Sequence, residues 1–215
     1  MAEALRLVGF QHSVYTWIVR LALREMELAA DHVEANPFAD PPDPVLARYT
    51  PLNRVPVLVH GPFRLTETGA ILRYLDTLST RPSLLPQEPQ AQARMAQVIG
   101  LADADVYPVM VRQVFSGGYY RPVVMGEAAD AEALSQGLLR AAPVLGLLEE
   151  IAAEGRVLTG AALTLADLHL APMLSYFLRV PEARSLLASY PALDHWWAMM
   201  ARNAHLCATD PMAGR

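Results

Sequence analysis

Hydrophobic and polar positions follow two different periods along the chain, with a proline-rich break between them. Near the N-terminus, Leu5, Leu7 and Val8 form a short apolar run ending at Gly9, which reads as a buried strand. Gly9 to His12 reads as a loop. Ser13 is placed to cap a following helix that carries Val14, Ile18, Leu21 and Ala22 on one face. A weaker strand is predicted over Leu28 to Ala35. The tract Asn36 to Pro44 (NPFADPPDP) is too dense in proline for any regular element. A short helix is predicted over Val45 to Tyr49. Val55 to Val59 and Phe63 to Leu65, separated by His60, Gly61 and Pro62, have the spacing of a hairpin. Thr66, Glu67, Thr68 and Gly69 then open a helix with Ile71, Leu72, Leu75 and Leu78 on its inner face. The predicted order is strand, helix, strand, helix, strand, strand, helix.

Arg81 to Gln90 (RPSLLPQEPQ) has little helical pattern and reads as a linker. Beyond it every apolar run has helical spacing: Met95, Val98, Ile99 and Ala102; Leu138, Leu139, Ala142, Leu145 and Leu148; Leu168 to Leu178; and the surroundings of Trp196 to Met200. Ser116 to Gly126 (SGGYYRPVVMG) is expected to be a loop between helices. The expected domains are residues 1–80, a linker over 81–90, and an all-helical domain over 91–215.

Composition narrows the chemistry. The 215 residues are 53% hydrophobic and 18% charged, a globular balance and not a disordered one. A net charge of −5 argues against a nucleic-acid partner, which needs a basic footprint. All seventeen basic residues are arginine. A Walker A loop and a Schiff-base lysine are therefore excluded. Cys207 is the only cysteine, so neither an intrachain disulfide nor a CxxC zinc site is possible. The six histidines are scattered, and no HExxH, GxGxxG or GxSxG pattern occurs, so no metal is expected. The N-terminus lacks a signal-peptide pattern, and no uncharged run reaches the roughly 18 residues needed to span a bilayer. A cytoplasmic protein with no membrane partner is expected.

Four short motifs carry candidate chemistry, and each has a structural reading beside the functional one. Ser13-Val14-Tyr15-Thr16 is either a plain N-cap or a hydroxyl aimed at an anion or thiolate beside a helix N-terminus. In Arg54-Val55-Pro56-Val57, the proline fits a trans bond on an edge strand or a cis bond. The cis form would turn the N–H and C=O of Val55 toward an added peptide strand. Glu67 and Thr68 open a helix either as capping groups or as a clamp, Glu67 accepting from an ammonium and Thr68 binding a carboxylate. Thr164-Leu165-Ala166-Asp167 is a capping box, with Leu163 and Leu168 as its hydrophobic staple, and its role is structural.

The order of these pieces resembles the cytosolic glutathione transferase family over essentially the whole chain. Asn53 to Leu58 and Glu67 to Asp76 look like its glutathione site, and Leu163 to Pro172 (LTLADLHLAP) looks like the capping motif of its helical domain. The resemblance implies an α+β thioredoxin-like N-terminal domain followed by an all-α helical bundle. It also implies a homodimer that uses glutathione as co-substrate. Ser13 falls where the serine and cysteine subclasses keep the residue that activates the glutathione thiol. It is also where thioredoxins keep the first CxxC cysteine, with Thr16 at the second. Arg54, Val55, Pro56, Glu67 and Thr68 become the glutathione-binding residues. Arg48 and Arg54 are the candidates to replace the lysine that many relatives offer to the glycyl carboxylate. The electrophile pocket is expected at Tyr15, Tyr107, Met110, Val111, Arg112, Phe115 and Tyr119. Alternatives implied by the same scaffold are a glutathione- or ligand-binding protein with little turnover, and a glutathione-dependent isomerase, dehalogenase or ether-cleaving enzyme.

Overall fold

Leu5–Gly9 forms β1, and the elements follow as α1 (Val14–Glu25), β2 (Ala30–Glu34), α2 (Pro44–Ala47), β3 (Val57–His60), β4 (Phe63–Leu65) and α3 (Thr68–Leu78). This is the order that the hydrophobic pattern predicts. In the computed structural model, which describes residues 4–214, the strands lie in the order β2-β1-β3-β4. β1 and β2 pair in parallel, while β1–β3 and β3–β4 are antiparallel. The parallel pair is joined by α1, as a parallel connection requires a crossover. The β3–β4 turn needs only Gly61 and Pro62 beyond the His60↔Phe63 pair. Gly61 supplies a φ of +56°, which glycine adopts without steric cost. β3 begins at Val57 because Pro56 has no N–H to give a ladder.

Leu7, Val8, Val57 and Leu58 fill the sheet's share of the core, and α1 and α3 contribute Trp17, Ile18, Leu21, Ile71, Leu72 and Leu75, all buried. The register also fixes where the strands end. Val8 faces Val57, Gly9 faces Glu34, and Leu58 faces Leu65. The C-terminal ends of β1, β2 and β4 and the N-terminal end of β3 therefore converge on one edge of the sheet. α1 and α3 both start from that edge.

The second unit, Leu84–Leu206, is helical. It contains α4 (Pro89–Leu101), a widely wound π-type segment (Ala102–Met125), α5 (Ala131–Ala153), α6 (Leu165–Phe177), α7 (Pro181–Leu187), α8 (Pro191–Met200) and the start of α9 (Ala204–Thr209). Three expectations are corrected here. The stretch expected as a loop over Ser116 to Gly126 stays helical to Met125 and stops at Gly126, whose φ is +70°. Its glycines serve close packing: a Cβ on Gly118 would meet Val180 at 3.0 Å and Leu134 at 3.2 Å. In α5 the inner face is Gly137, Ala141, Leu145 and Leu148, whereas Leu139 is exposed. The reason is again close approach, since a Cβ on Gly137 would lie 2.7 Å from Val114. Finally, Pro89 and Gln90 belong to α4 and not to the linker. Glu88 caps α4 by accepting from the amides of Gln90 and Ala91, and these backbone bonds hold its carboxyl below the usual range.

The first unit runs to Ser83 and takes back the segment from Cys207 onward. That segment was expected in the helical domain. It returns because its residues are needed elsewhere: the Trp17 indole donates to the Thr209 hydroxyl at 2.9 Å, in a buried setting.

The capping box is closed as its spacing predicts. Asp167 is fully buried. It accepts from the Thr164 amide (2.7 Å), the Thr164 hydroxyl (2.6 Å) and the Trp196 indole (2.7 Å). Burial pushes its carboxyl above the usual value, and the hydrogen bonds from Thr164 and Trp196 oppose that rise.

Candidate active site

The convergent edge of the sheet collects Ser13, Val55, Glu67 and Thr68. Ser13 is the N-cap of α1 in an extended conformation. Its amide donates to the Phe10 carbonyl (2.9 Å), its carbonyl accepts from the Trp17 amide (2.9 Å), and its hydroxyl oxygen accepts from the Thr16 amide at a long 3.4 Å. A hydroxyl that accepts in this way keeps its own proton to donate. The amides of the first helical turn point the same way, with the positive end of the helix behind them.

The Val55–Pro56 bond is cis. The Val55 side chain packs on the cluster of Val8, Ala35, Leu46, Val57 and Val59. Its backbone lies outside the β1–β3 ladder, whose last pair is Val8↔Val57. Asn53, two residues earlier, takes a φ of +49° and donates from its side chain to the Pro37 carbonyl at 2.9 Å. Glu67 caps α3 at φ +63° and ψ 111°, without a side-chain capping bond. A non-glycine residue in that region is strained, and such positions cluster where a side chain must be aimed. The Glu67 carboxylate stands 3.4 Å from the Arg54 guanidinium, both side chains about two-thirds exposed. Thr68, the first residue of α3, is buried. Arg48, the other basic candidate, offers its carbonyl to Arg64 at 2.8 Å.

The residues expected to form the electrophile pocket are not one group. Tyr15 lies half-buried on the first turn of α1. The other six lie on the wound segment of the second unit. Among them Met110 is fully buried, and Val111 and Phe115 nearly so. Phe115 is stacked on Tyr176 at 4.0 Å between centroids and on Tyr119 at 5.7 Å. Tyr119 also accepts a hydrogen bond from Arg179. Tyr107 is half-buried and Arg112 exposed. Burial raises the Tyr107 phenol, and the charge and hydrogen bond of Arg112 oppose that rise.

One feature beside Ser13 escaped the sequence reading. Phe10 meets His12 edge to face at 5.5 Å and meets Phe38 edge to face at 6.0 Å. Phe38 is 65% exposed, yet its loop is tightly held. The Phe38 amide donates to Asn36 Oδ1 (2.9 Å) and the Asn36 amide to Asp43 Oδ2 (2.8 Å). The Asn36 amide, and after it the Val45 amide, hold the Asp43 carboxyl below the usual range. The result is an ordered aromatic ledge on the loop that leads into Ser13. Phe10 and His12 were visible in the chain. Their meeting with Phe38 depends on the parallel β1–β2 register, which a local pattern does not reveal.

Among the described residues no group of three or more His, Cys, Asp or Glu could hold a metal ion. No helix among them is long and apolar enough to cross a membrane.

Comparison with known proteins places these features in company. Residues 7–83 match the model of the glutathione S-transferase N-terminal domain, and residues 101–204 match that of its C-terminal domain. The chain is 27% identical over 175 residues to glutathione S-transferase 1 of Dianthus caryophyllus, covering 80% of this chain and 76% of that protein. It is 26% identical over 197 residues to glutathione S-transferase F6 of Arabidopsis thaliana, covering 90% and 93%. A solved structure of glutathione S-transferase III in apo form superposes with a TM-score of 0.83 at 26% identity, over 99% of this chain and 98% of that one.

Proposed function

Because the chain belongs to the glutathione S-transferase family and is a glutathione transferase, we propose that Ser13 activates the glutathione thiol for attack on small hydrophobic electrophiles. The observation that carries this reading is the convergence of Ser13, Val55 and Glu67 on one sheet edge, with Ser13 and Glu67 each at the start of a helix and Glu67 held at a positive φ. Val55 offers backbone groups to the cysteinyl unit, as an added strand would take them. Glu67 accepts from the γ-glutamyl ammonium. Thr68 and the N-terminus of α3 hold the α-carboxylate. Arg54 contacts the tripeptide from beside Glu67.

A free thiol has a pKa near ~8.5, so only a few per cent is ionised at neutral pH. Donation from the Ser13 hydroxyl, together with the N-terminus of α1, stabilises the thiolate. A fall of about two pKa units corresponds to roughly 2.7 kcal/mol and makes the thiolate the main form. Sulfur then forms a bond to the electrophilic carbon, the leaving group departs with its electron pair, and the thiol proton has already passed to solvent. Ser13 donates to sulfur throughout and forms no covalent bond.

The Phe10–His12–Phe38 ledge favours planar aromatic or conjugated electrophiles, which gain most from ring contacts. Detoxification of such compounds in the cytoplasm, by a homodimer, is the physiological setting we infer. Calorimetric titration with glutathione tests the reading. The wild type is expected to bind, and Glu67→Gln to bind about tenfold more weakly, as loss of one charge-assisted contact implies. Equal binding by both proteins would remove Glu67 from the clamp, and no binding by the wild type would overturn the reading as a whole.

A further inference from the structure

The bond between Trp17 and Thr209 joins residues 192 positions apart. Trp17 is fully buried and Thr209 nearly so. Trp17 also belongs to the turn that presents Ser13. Its amide closes on the Ser13 carbonyl, and the amide before it reaches the Ser13 hydroxyl. Any rotation of this turn about the axis of α1 therefore moves the Trp17 ring and the Ser13 hydroxyl together. An indole has one N–H, and a buried donor keeps its acceptor because losing it is costly. Thr209 thus constrains the ring, and the ring belongs to the turn that carries Ser13.

The segment that carries Thr209 is itself anchored. Met212 is fully buried, and its amide donates to Asp210 Oδ1 at 2.8 Å. From the other side, the Thr16 side chain lies against the Cα of Gly9. A Cβ on Gly9 would come within 2.5 Å of Thr16 Cγ2. The first turn of α1 is held between the end of β1 and the C-terminal segment.

We propose that Thr209, acting through Trp17, is a positioning residue for Ser13, so that the C-terminal segment sets the direction in which the Ser13 hydroxyl donates. This rests on the reading of Ser13 as the thiol-activating group. The test is a pH titration of the ultraviolet absorbance of bound glutathione thiolate, with a thermal melt of each protein. The proteins are the wild type, Ser13→Ala, Thr209→Val, Thr209→Ser and Trp17→Phe.

Thr209→Val and Trp17→Phe are expected to shift the titration toward that of the free thiol, with about three- to tenfold less thiolate at a pH below the midpoint. Thr209→Ser keeps the acceptor and is expected to titrate as the wild type. Either removal variant decides the matter by itself if the other does not fold. A lowered melting temperature with an unmoved titration would make the bond purely structural and overturn the proposal. An unmoved titration in Ser13→Ala would instead overturn the reading on which it rests, and that outcome is visible separately.

Discussion

Two helices in this protein begin at a hydroxyl residue followed three positions later by a second polar side chain, and they use that pattern in opposite ways. At the start of α6, Thr164 and Asp167 satisfy each other, and Trp196 closes the arrangement at 2.7 Å. At the start of α1, Ser13 accepts a long bond from the Thr16 amide, and the buried Thr16 hydroxyl oxygen has no hydrogen-bond partner among the described residues. The first site spends its polar groups on the fold. The second leaves a proton donor and a helix N-terminus facing outward. The difference between a structural cap and a chemical one thus lies in which groups are left over once the backbone is satisfied.

The sharpest way to break this contrast is at Asp167. Asp167→Ala leaves the Thr164 amide and the Trp196 indole as buried donors without an acceptor, and unfolding in urea is expected to show a loss of about 3–5 kcal/mol. The charge of Asp167 is a separate matter. Its carboxyl is raised above 3.8 by burial, so the folded protein holds the proton more tightly than the unfolded chain. That contribution is complete below the unfolded value and is lost as pH rises through the folded one. The stability of the wild type relative to Asp167→Asn is therefore expected to fall as pH rises above about 3.8. A difference that grew with pH would show an ordinary paired carboxylate.

At the open cap the expected effects invert. Ser13→Ala should lower turnover about a hundredfold, the scale of losing one donor to a reacting anion, while changing stability by no more than about 1 kcal/mol. A loss of stability without loss of turnover would make the two caps alike. Phe38→Ala should raise KM about three- to tenfold for a planar aromatic electrophile and leave a small aliphatic one nearly unaffected. Equal effects on both substrates would remove the ledge from recognition. The smallest effect is expected at Thr16→Val, which replaces an unsatisfied buried hydroxyl with a group of the same shape. A gain of up to about 1 kcal/mol in denaturant unfolding is expected. A clear loss would mean that the hydroxyl has a partner in solution.

Much of the first unit was legible because its signals are local. Strand runs, the Gly61 turn and the first helical face each lie within a few residues, and the capping box at Thr164 is a four-residue pattern. The helical unit was harder to read. Ser116 to Gly126 suggests a loop, whereas Gly118 is where Val180 and Leu134 approach too closely for a side chain. Leu139 looked like core, but the stripe in α5 is set by contact at Gly137, not by where the leucines fall. Ser13, Val55, Glu67 and Thr68 could be read individually. Their convergence follows from strand register, and the aromatic ledge follows from a parallel pairing across a crossover. The return of the C-terminal segment had no local signal, since the bond that marks it joins an indole and a hydroxyl far apart in the chain.

That return has a consequence for the order of assembly. As the chain emerges during synthesis, residues up to Ser83 appear first, but the acceptor for Trp17 is not made until Thr209. The helical unit, Leu84–Leu206, is contiguous and holds its own capping box and aromatic stack. Domains usually complete in the order in which they are synthesised. Here the later unit lies between the two parts of the earlier one, so the bond between Trp17 and Thr209 can form only after the whole helical unit has been synthesised.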